Sequence, residues 1–548
     1  MPVVTIDGHP MSVETGTLII QAADLAGIEI PRFCYHPDLR PEGNCRMCLV
    51  HVKGFARLTP ACSTPIEGGM VISTAHQHQD VKDATRSVLE FLLLNHPLDC
   101  PICDQAGECS LQDFYMHPDY GLHSSDADPQ EKVRKHKVLN LGGIVLDSER
   151  CVMCSRCIRF SNEVSGAQEL QFVHRGNHVE IMAFEDRALA DPYAGNLADI
   201  CPVGALTSSD FRFKRRVWFL HHAQSICAGC STGCNVRIDY TEQGIDRVLP
   251  RRNPSVNQSW MCDEGRLSYH TIQNLPRITV PVIKMAEDLQ AVSWPQALEA
   301  VRQACMSTGQ GKSAIVASAM ATNETLWLLR EVAHDLLPGA TLDFRPSSSN
   351  PDVTLRQDTL LRRYDKQPNS QGALMLGLGR GPGIEAIVSA AERDEVDLAL
   401  IVHYPPVVGP DDNVRLDLLE RLIHSAHFAV VLTNARAEWW KGADVILPIA
   451  SWSEEEGTYT NYAGVVQHLD AALKPPGKTR PAWEIIRDIL SGFESKNPYS
   501  NVEVVFEQGV RTIPAFHGLH YTTLTSLEAD VYPPEGRMSY GQEGFWSR

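Results

Sequence analysis

The sequence lacks the features of a chain that crosses a membrane or is exported through one. Of its 548 residues 43% are hydrophobic, yet no uninterrupted apolar stretch approaches the roughly 18 residues of a membrane-spanning helix. The opening MPVVTIDGHP has no basic start followed by an apolar run, so we expect no signal peptide. Positive charge is also scarce, because 49 Lys and Arg stand against 67 Asp and Glu, a net charge of −18. That balance argues against a protein that coats nucleic acid, which needs a basic face.

Cysteine is nearly absent from the second half of the chain. Fifteen of the 16 cysteines lie at or before Cys262, and Cys305 alone follows. The total is far below the roughly 8–10% of residues found in a disulfide scaffold. Because thiols stay reduced in a chain that is not exported, the crowding predicts metal or cluster ligation rather than disulfides. Cys305 lies on a helical pattern, and we expect it to be a buried, inert thiol.

Length and local patterns predict several domains. At about 150 residues per domain, 548 residues correspond to three or four. VVTIDG predicts a strand and Thr17–Leu25 a short helix. From Asp80 apolar residues recur at helical spacing, and Pro97 disfavours helical geometry just before it, so His96 should stand at a helix end. Residues 118–138 are polar and predict a connector.

Beyond Arg277 the pattern becomes that of an α/β layer. Apolar strand candidates alternate with helical patterns, which predicts a parallel sheet. The strands are AIVASA (314–319), LALIVHY (398–404) and FAVVLT (428–433), and the helical patterns cover 323–337 and 413–425. After about residue 491 the pattern gives way to Pro, Gly and scattered aromatics. We expect an extended tail there, either lying across a neighbouring subunit or disordered.

Four candidate ligand sets occupy the first 262 residues, and together they use every cysteine except Cys305. The sets are Cys34, Cys45, Cys48 and Cys62; His96, Cys100, Cys103 and Cys109; Cys151, Cys154, Cys157 and Cys201; and Cys227, Cys230, Cys234 and Cys262. Four thiolates suit a [2Fe-2S] rhombus or a [4Fe-4S] cube. Zinc is the alternative for each set, since structural zinc also takes four Cys or His ligands.

The spacings distinguish the sets. The first, C-x10-C-x2-C-x13-C, departs from the plant-ferredoxin spacing, but three ligands on one loop and the fourth on a later element provide the four thiolates that a [2Fe-2S] centre needs. The second, H-x3-C-x2-C-x5-C, replaces one thiolate by a neutral imidazole, which generally raises a reduction potential. The third, C-x2-C-x2-C with a later C-P, is the strongest [4Fe-4S] signal, and Cys201 should close that same cluster. The fourth, C-x2-C-x3-C-x27-C, suits a [4Fe-4S] cube, although zinc ribbons approach this spacing.

In this order the four sets resemble the G-subunit family of NADH-quinone oxidoreductases, which supplies the large iron-sulfur subunit of respiratory complex I. Residues 1 to about 275 carry the resemblance. Residues 277 to about 490 resemble a shortened molybdopterin-oxidoreductase domain, with NSQGA (369–373) and SEEEGTYTNYAG (453–464) as local signatures. No cysteine after Cys305 could ligate molybdenum, so we expect a scaffold without its pterin.

The resemblance implies a multidomain α+β and α/β fold. Its domains would be a β-grasp [2Fe-2S] ferredoxin at 1–78, a one-His/three-Cys cluster domain at 79–119, a ferredoxin-like [4Fe-4S] domain at 140–219, a molybdopterin-oxidoreductase-type [4Fe-4S] domain at 220–276, the shortened α/β domain at 277–490 and the tail at 491–548. The cofactors would be one [2Fe-2S] and three [4Fe-4S] clusters, the fourth set's cluster lying off the main path.

The resemblance also implies a function and partners. Electrons from NADH, oxidised by FMN on a neighbouring subunit, would pass through these clusters toward quinone, coupled to proton translocation. The partners would be the flavin- and NADH-binding subunit and the quinone-proximal iron-sulfur subunits of complex I. The expected location is the peripheral arm of that membrane complex, at the cytoplasmic face of the cell inner membrane. No complete substrate site is expected on this chain.

Two other functions stay open. The first is the related iron-sulfur subunit of an NAD-linked hydrogenase or formate dehydrogenase. The second is a zinc-stabilised scaffold that touches nucleic acid through Arg212, Lys214, Arg215 and Arg216, which the overall charge disfavours. Two glycine-rich stretches predict no nucleotide site: MSTGQGKS (306–313) lacks the first glycine of a P-loop, and GLGRGPG (377–383) fails the dinucleotide-binding register.

Overall fold

The computed structural model describes residues 1–122, 135–136, 138–183, 187–286, 288–345, 357–408, 416–492 and 499–526. Much of the predicted connector, and the last part of the predicted tail, lie outside the described residues. The chain forms two compact units, one reaching to Leu220 and the other beginning at His221. Each is described by itself.

The first unit combines short strands with short helices. Its strands are β1 (Val3–Ile6), β2 (His9–Ser12), β3 (Leu49–Val52), β4 (Thr59–Pro60), β5 (Val71–Ser73), β6 (Leu139–Asn140), β7 (Ile144–Leu146), β8 (Leu170–Val173), β9 (Glu180–Ala183) and β10 (Leu206–Ser208). Its helices are α1 (Ile19–Leu25), α2 (Gln79–Asn95), α3 (Ser110–Met116), α4 (Arg156–Arg159) and α5 (Asn196–Asp199).

A five-stranded mixed sheet with the order β2-β1-β5-β3-β4 begins this unit. β1 pairs parallel with β5 and antiparallel with β2. The inward side chains of β1, such as Ile6, pack with Ile19 and Ile20 of α1 and with Val50 in one buried cluster. The predicted strand at VVTIDG and the predicted helix before residue 25 are therefore confirmed.

Helix α2 ends where the sequence predicts. Its last residue is Asn95, and His96 follows in extended conformation, with φ −66° and ψ 132°. Pro97 accounts for this end, because its ring disfavours the helical conformation at the residue before it. Val81, Thr85 and Leu89 form the buried face of the helix at helical spacing.

The second unit contains longer strands and most of the helices. Its strands are β11 (His221–Ile226), β12 (Asn235–Thr241), β13 (Gly244–Pro250), β14 (Val282–Met285), β15 (Asp288–Ala291), β16 (Ser313–Ser318), β17 (Thr341–Arg345), β18 (Leu398–His403), β19 (Phe428–Thr433), β20 (Val445–Pro448), β21 (Gly457–Thr460) and β22 (Val466–Leu469). Its helices are α6 (Asp263–Leu267), α7 (Tyr269–Gln273), α8 (Trp294–Ser307), α9 (Asn323–Glu331), α10 (Ser370–Met375), α11 (Ile384–Glu392), α12 (Leu416–Ser425), α13 (Ala482–Ser491), α14 (Val502–Thr512) and α15 (Tyr521–Ser526).

A seven-stranded sheet with the order β15-β14-β20-β19-β18-β16-β17 dominates the second unit. The five strands from β20 to β17 are parallel, and β14 and β15 add an antiparallel edge. Every residue of β16 and β18 is buried, as expected for strands covered on both faces. The predicted parallel α/β layer and its three strands are confirmed.

The predicted extended tail is wrong for residues 502–512 and 521–526, which form α14 and α15. Val502, Val505, Phe506 and Val510 make one buried face of α14. The Trp327 indole N–H on α9 donates to the Thr512 hydroxyl at 3.0 Å. The sequence does not predict this helix, because its amphipathic spacing is short and lies among aromatic and proline residues.

Two further findings complete the fold. Among the helices that the structure describes, none combines the length and the apolar character needed to span a bilayer. Cys305 is buried on α8, and burial raises the pKa of its thiol to about 11. The prediction of a buried thiol at this position is confirmed.

Candidate metal centres

The first ligand set converges beside the core of the five-stranded sheet. Cys34, Cys48 and Cys62 are buried and Cys45 is half-buried. Hydrogen bonds among these four thiols lower the pKa of Cys34 and Cys48 and raise the pKa of Cys45 and Cys62. The Cys34 backbone N–H also donates to the Cys45 sulfur at 3.4 Å. The loop before β3 and the residues after β4 thus bring all four sulfurs together.

The second set follows α2 and is the most exposed. Cys100 is exposed, Cys109 is half-buried and Cys103 is buried. Burial raises the pKa of Cys103 and raises the pKa of Cys109 to about 12, and a neighbouring thiol acts on each: Cys100 on Cys103, and Cys103 on Cys109. His96 is half-buried at the helix end and precedes Cys100 closely in the chain.

Gly204 places the loop of the third set against the second set. A Cβ atom at Gly204 would lie 2.2 Å from the Cys103 sulfur and 3.2 Å from the Gln105 side chain. Gly204 follows Cys201 closely in the chain, so only a residue without a side chain allows these two loops to approach. The Arg216 guanidinium donates to the Cys103 carbonyl at 2.6 Å and so ties a later segment of the chain to the same loop.

The third set lines one buried cavity. Cys151, Cys154, Cys157 and Cys201 all face it, and its remaining walls are mostly apolar. Burial raises the pKa of all four thiols, to about 12 for Cys151 and about 11 for Cys154. Three of the four cysteines are buried and Cys151 is half-buried, so the four sulfurs are collected in one largely apolar space.

The loop that carries the third set adopts a costly backbone conformation. Met153 and Ser155 have φ angles of 54° and 64°, in the left-handed region that residues with side chains rarely adopt. Each such residue costs about 1–3 kcal/mol and is kept where the surrounding structure demands it. Here the two residues turn the loop so that Cys151, Cys154 and Cys157 face the same cavity.

The fourth set lines a second cavity, in the second unit. Cys227, Cys230, Cys234 and Cys262 share it with the Lys366 side chain. Burial raises the pKa of Cys227 to about 12, and the Lys366 ammonium opposes that rise. Lys366 is itself buried and pairs with Glu264 at 3.1 Å.

The donor chemistry of these sites fits iron-sulfur clusters. In the third and fourth sets four thiols surround a mostly apolar space, and backbone N–H groups donate to sulfur at 3.3 Å for Cys151 and 3.4 Å for Cys227 and Cys262. Such hydrogen bonds tune the potential of a bound cluster. Within the described ranges, no three His, Cys, Asp or Glu side chains converge as ligands of a single metal ion.

Several residues at these sites escaped sequence reasoning. Lys366 and Gly204 have no sequence pattern that marks them, and the contacts of Arg156 and Arg159 come from segments distant in the chain. Arg156 and Arg159 alone carried a weak signal, since the two basic residues flank the last cysteine of the third triplet.

Comparison with protein families gives five matches in the same order as the four sites. They are a 2Fe-2S iron-sulfur cluster binding domain at 3–77, the NADH-ubiquinone oxidoreductase-G iron-sulfur binding region at 86–124, the ferredoxin-like domain of NADH-quinone oxidoreductase subunit 3 at 143–207, the NDSU1/NuoG-like 4Fe-4S domain of NADH-ubiquinone oxidoreductase at 220–270 and molybdopterin oxidoreductase at 361–491. The multidomain fold expected from the sequence is confirmed.

Two curated relatives show how far the similarity extends. The mitochondrial NADH-ubiquinone oxidoreductase 78 kDa subunit of Candida albicans is 30% identical over 610 residues, covering 91% of this chain and 84% of the relative. The NADH-quinone oxidoreductase G subunit of Rickettsia bellii is 40% identical over 327 residues, covering 60% of this chain and 47% of the relative. The chain thus matches less than half of the length of that bacterial relative.

A solved structure, described as the crystal structure of NAD+-reducing [NiFe]-hydrogenase in the H2-reduced state, is 28% identical and covers 39% of this chain and 91% of that chain. Its TM-score of 0.36 is too low to support a shared fold. The Candida albicans alignment, by contrast, spans most of both proteins. The four ligand sets and this alignment lead to one conclusion: the chain belongs to the G-subunit family of NADH-quinone oxidoreductases, the large iron-sulfur subunits of complex I.

Proposed function

We propose that this chain is the electron-transfer iron-sulfur subunit of an NADH:quinone oxidoreductase. It receives electrons that a partner subunit draws from NADH through FMN and delivers them toward quinone, in a reaction coupled to proton translocation. The observation that supports this most is the complete use of ligands. Fifteen cysteines and His96 make four sets of four, and only Cys305, buried on α8, is left over.

We assign one [2Fe-2S] cluster to the first set and one [4Fe-4S] cluster to each of the other three. A bound cluster supplies a one-electron carrier whose potential depends on its ligands, hydrogen bonds, local charge and exposure. The His96 imidazole contributes no negative charge, so this ligand set favours a higher potential than four thiolates would. We place the fourth set off the main path of electrons.

Buried basic side chains lie beside two of these sites. Arg150 is buried and donates to Asp99 at 3.0 Å, and its guanidinium opposes the rise in the pKa of Cys103. Lys366 acts in the same way on Cys227. Buried cations beside ligand sulfurs offset the negative charge that each site gains on reduction.

We propose that electrons leave the chain at the second site. Leu98, Ile102, Trp218 and Phe219 are exposed large apolar side chains, 60–89% accessible, in the same unit as the exposed Cys100. Arg216, two residues before Trp218, donates to the Pro101 carbonyl and so brings this segment to the second-site loop. A contiguous group of exposed apolar side chains marks an interaction surface. We propose that a quinone-proximal iron-sulfur subunit covers them, while the flavin- and NADH-binding subunit lies elsewhere on the chain.

We further propose that the chain works in the peripheral arm of complex I, at the cytoplasmic face of the cell inner membrane. The test is affinity purification of the tagged full-length chain from its own cells, followed by identification of the captured proteins. We expect an FMN-containing, NADH-oxidising subunit and iron-sulfur subunits of a quinone reductase. Capture of hydrogenase subunits with hydrogen-oxidising activity would contradict the proposal.

A further inference from the structure

Two arginines of the third site extend toward the first site. Arg156 and Arg159 form the ends of α4 and flank Cys157 in the chain. They are only 3% and 8% exposed, which is unusual for a side chain that is always charged. Both guanidinium groups donate hydrogen bonds to the loop that holds the first ligand set.

Arg156 joins the backbone beside a ligand of each site. One terminal nitrogen donates to the Tyr35 carbonyl at 2.5 Å, and Tyr35 directly follows Cys34. The other donates to the Ile200 carbonyl at 3.2 Å, and Ile200 directly precedes Cys201. A single guanidinium therefore fixes the first-set loop relative to the last ligand of the third set.

Arg159 makes a second bridge. Its terminal nitrogens donate to the carbonyl of Cys34 itself and, at 2.5 Å, to the Arg40 carbonyl. Its Nε lies 3.1 Å from the Ser155 hydroxyl and 3.1 Å from a Glu42 carboxylate oxygen. Ser155 in turn donates to Glu42. The carboxylate is the more exposed member, with 39% of its side chain accessible.

The same two side chains also lie beside the third set. Arg156 lines the cavity that the four thiols of that set face. The Arg159 Nε donates to the hydroxyl of Ser155, which stands between Cys154 and Cys157 in the chain. Positive charge here favours extra negative charge on the sulfur ligands, and burial weakens its screening by salt.

We propose that Arg156 and Arg159 are positioning residues for electron transfer between the first and third sites, holding the two ligand loops together and raising the reduction potentials of both. The inference rests on the proposed function, because it assumes a cluster in each site. Reduction adds one electron and so one negative charge to a site, which a fixed nearby cation stabilises. Glu42 has the opposite sign and partly cancels the effect of Arg159.

The test compares charge changes of opposite sign at one place. Arg159→Met removes the cation and keeps an apolar stem, whereas Glu42→Gln removes the anion and keeps a hydrogen-bonding group. Arg57→Met is the matched control, because it deletes an exposed arginine from the same unit. In each purified full-length protein, the midpoint potentials of the [2Fe-2S] cluster and the third-site [4Fe-4S] cluster are measured by redox titration followed by electron paramagnetic resonance.

We expect Arg159→Met to shift both potentials to more negative values, Glu42→Gln to shift both to more positive values, and Arg57→Met to shift neither. If Arg159 and Glu42 had a purely structural role, the two substitutions would shift the midpoint potentials in the same direction or not at all. That result overturns the inference. If Arg159→Met does not assemble its clusters, the sign of the Glu42→Gln shift decides. Wild-type protein without these two signals would refute the proposed function itself, which separates the two failures.

The positioning role has its own readout. Arg159→Lys keeps the charge but cannot reach three acceptors with a rigid fork. We expect potentials near those of the wild type together with faster hydrogen exchange of the backbone in residues 34–42. Unchanged exchange in that loop would show that the arginine does not hold it.

Discussion

The cysteine-rich first unit and the parallel sheet of the second unit hold their interiors together by different means. In the sheet, the six-residue strands β16 and β18 are buried at every position. In the first unit, the described strands have two to four residues. Its buried positions include Arg150, Arg156 and Arg159 and most of the thiols. The sheet is built for apolar packing, and the first unit is built around ligand loops.

The two regions should therefore differ in how much a cofactor contributes to their stability. Burial of apolar surface stabilises the sheet by about 25 cal/mol per Å² and needs no ligand. Buried thiols with raised pKa values are uncharged and form no ion pairs. Ligation of a cluster would deprotonate these thiols and would also join loops that are distant in the chain. The first unit should therefore depend on its clusters, and the sheet should not.

The largest expected effect comes from removing a ligand. Cys157→Ala should abolish the third-site cluster and lower the iron content by about four atoms per chain. Hydrogen exchange should rise through the first unit and stay unchanged in β16 and β18. The matched control is Cys305→Ala, a buried cysteine outside the four sets, which should leave iron content unchanged. Equal iron loss in both variants would show that Cys157 is no more a cluster ligand than Cys305.

The next effect tests how closely the ligand loops pack. Gly204→Ala places a methyl group 2.2 Å from the Cys103 sulfur, so Cys103 or its loop must move. We expect the second-site signal in electron paramagnetic resonance to be lost or strongly altered. Gly143→Ala, where a Cβ atom meets nothing within 4 Å, should change no signal. An unaltered second-site signal in Gly204→Ala would show that these loops are not tightly packed.

A core substitution in the sheet should lower the stability of the protein without changing the cluster signals. Ile401→Ala opens a cavity in the cluster that includes Trp439 and Trp440, and should lower the free energy of unfolding by about 2–5 kcal/mol. Tryptophan fluorescence during denaturant unfolding measures the loss, while all cluster signals stay unchanged. Ile384→Ala, at a partly buried position of the same cluster, should cost less. Loss of cluster signals in Ile401→Ala would show that the cluster sites depend on the packing of the sheet.

A pH dependence of stability is expected from one buried carboxyl of the second unit. Burial raises the pKa of Glu455 from 4.5 to about 8, next to the Tyr404 hydroxyl at 3.4 Å. Between these values the folded protein keeps a proton that the unfolded chain releases, so the contribution to stability is full below about pH 4.5 and is lost as pH rises through about 8.

Glu455→Gln should therefore flatten the decline of unfolding free energy between about pH 5 and 8, by at most about 1.4 kcal/mol per pH unit. Denaturant titrations at several pH values measure this slope. Glu395→Gln, at an exposed carboxyl whose pKa Arg393 lowers, should leave it unchanged. An identical slope in wild type and Glu455→Gln would mean that Glu455 is ionised in the folded state.

The sheet and the ligand sets were accessible to sequence reasoning for local reasons. A strand such as β18 is a continuous apolar run, and burial on both faces requires that run. The end of α2 follows from Pro97 acting on His96, its neighbour in the chain. Ligand spacing is likewise local, because three of the four sulfurs of the third set stand within seven residues.

What the sequence did not reveal depends on contacts between distant segments. Arg156 and Arg159 acquire their role from carbonyl groups 119 to 125 positions earlier in the chain. Gly204 looks like any loop glycine until the Cys103 sulfur is placed beside it. Helix α14 shows only about three turns of amphipathic spacing, and its packing on Trp327 decides its conformation.

Occupation of the four ligand sets by iron-sulfur clusters is tested by the metal content of the full-length chain purified without oxygen. Four occupied sites, one with two iron atoms and three with four, predict about 14 iron atoms per chain. The protein should be brown and should show separate [2Fe-2S] and [4Fe-4S] signals on reduction. Stoichiometric zinc in a colourless protein would contradict the account.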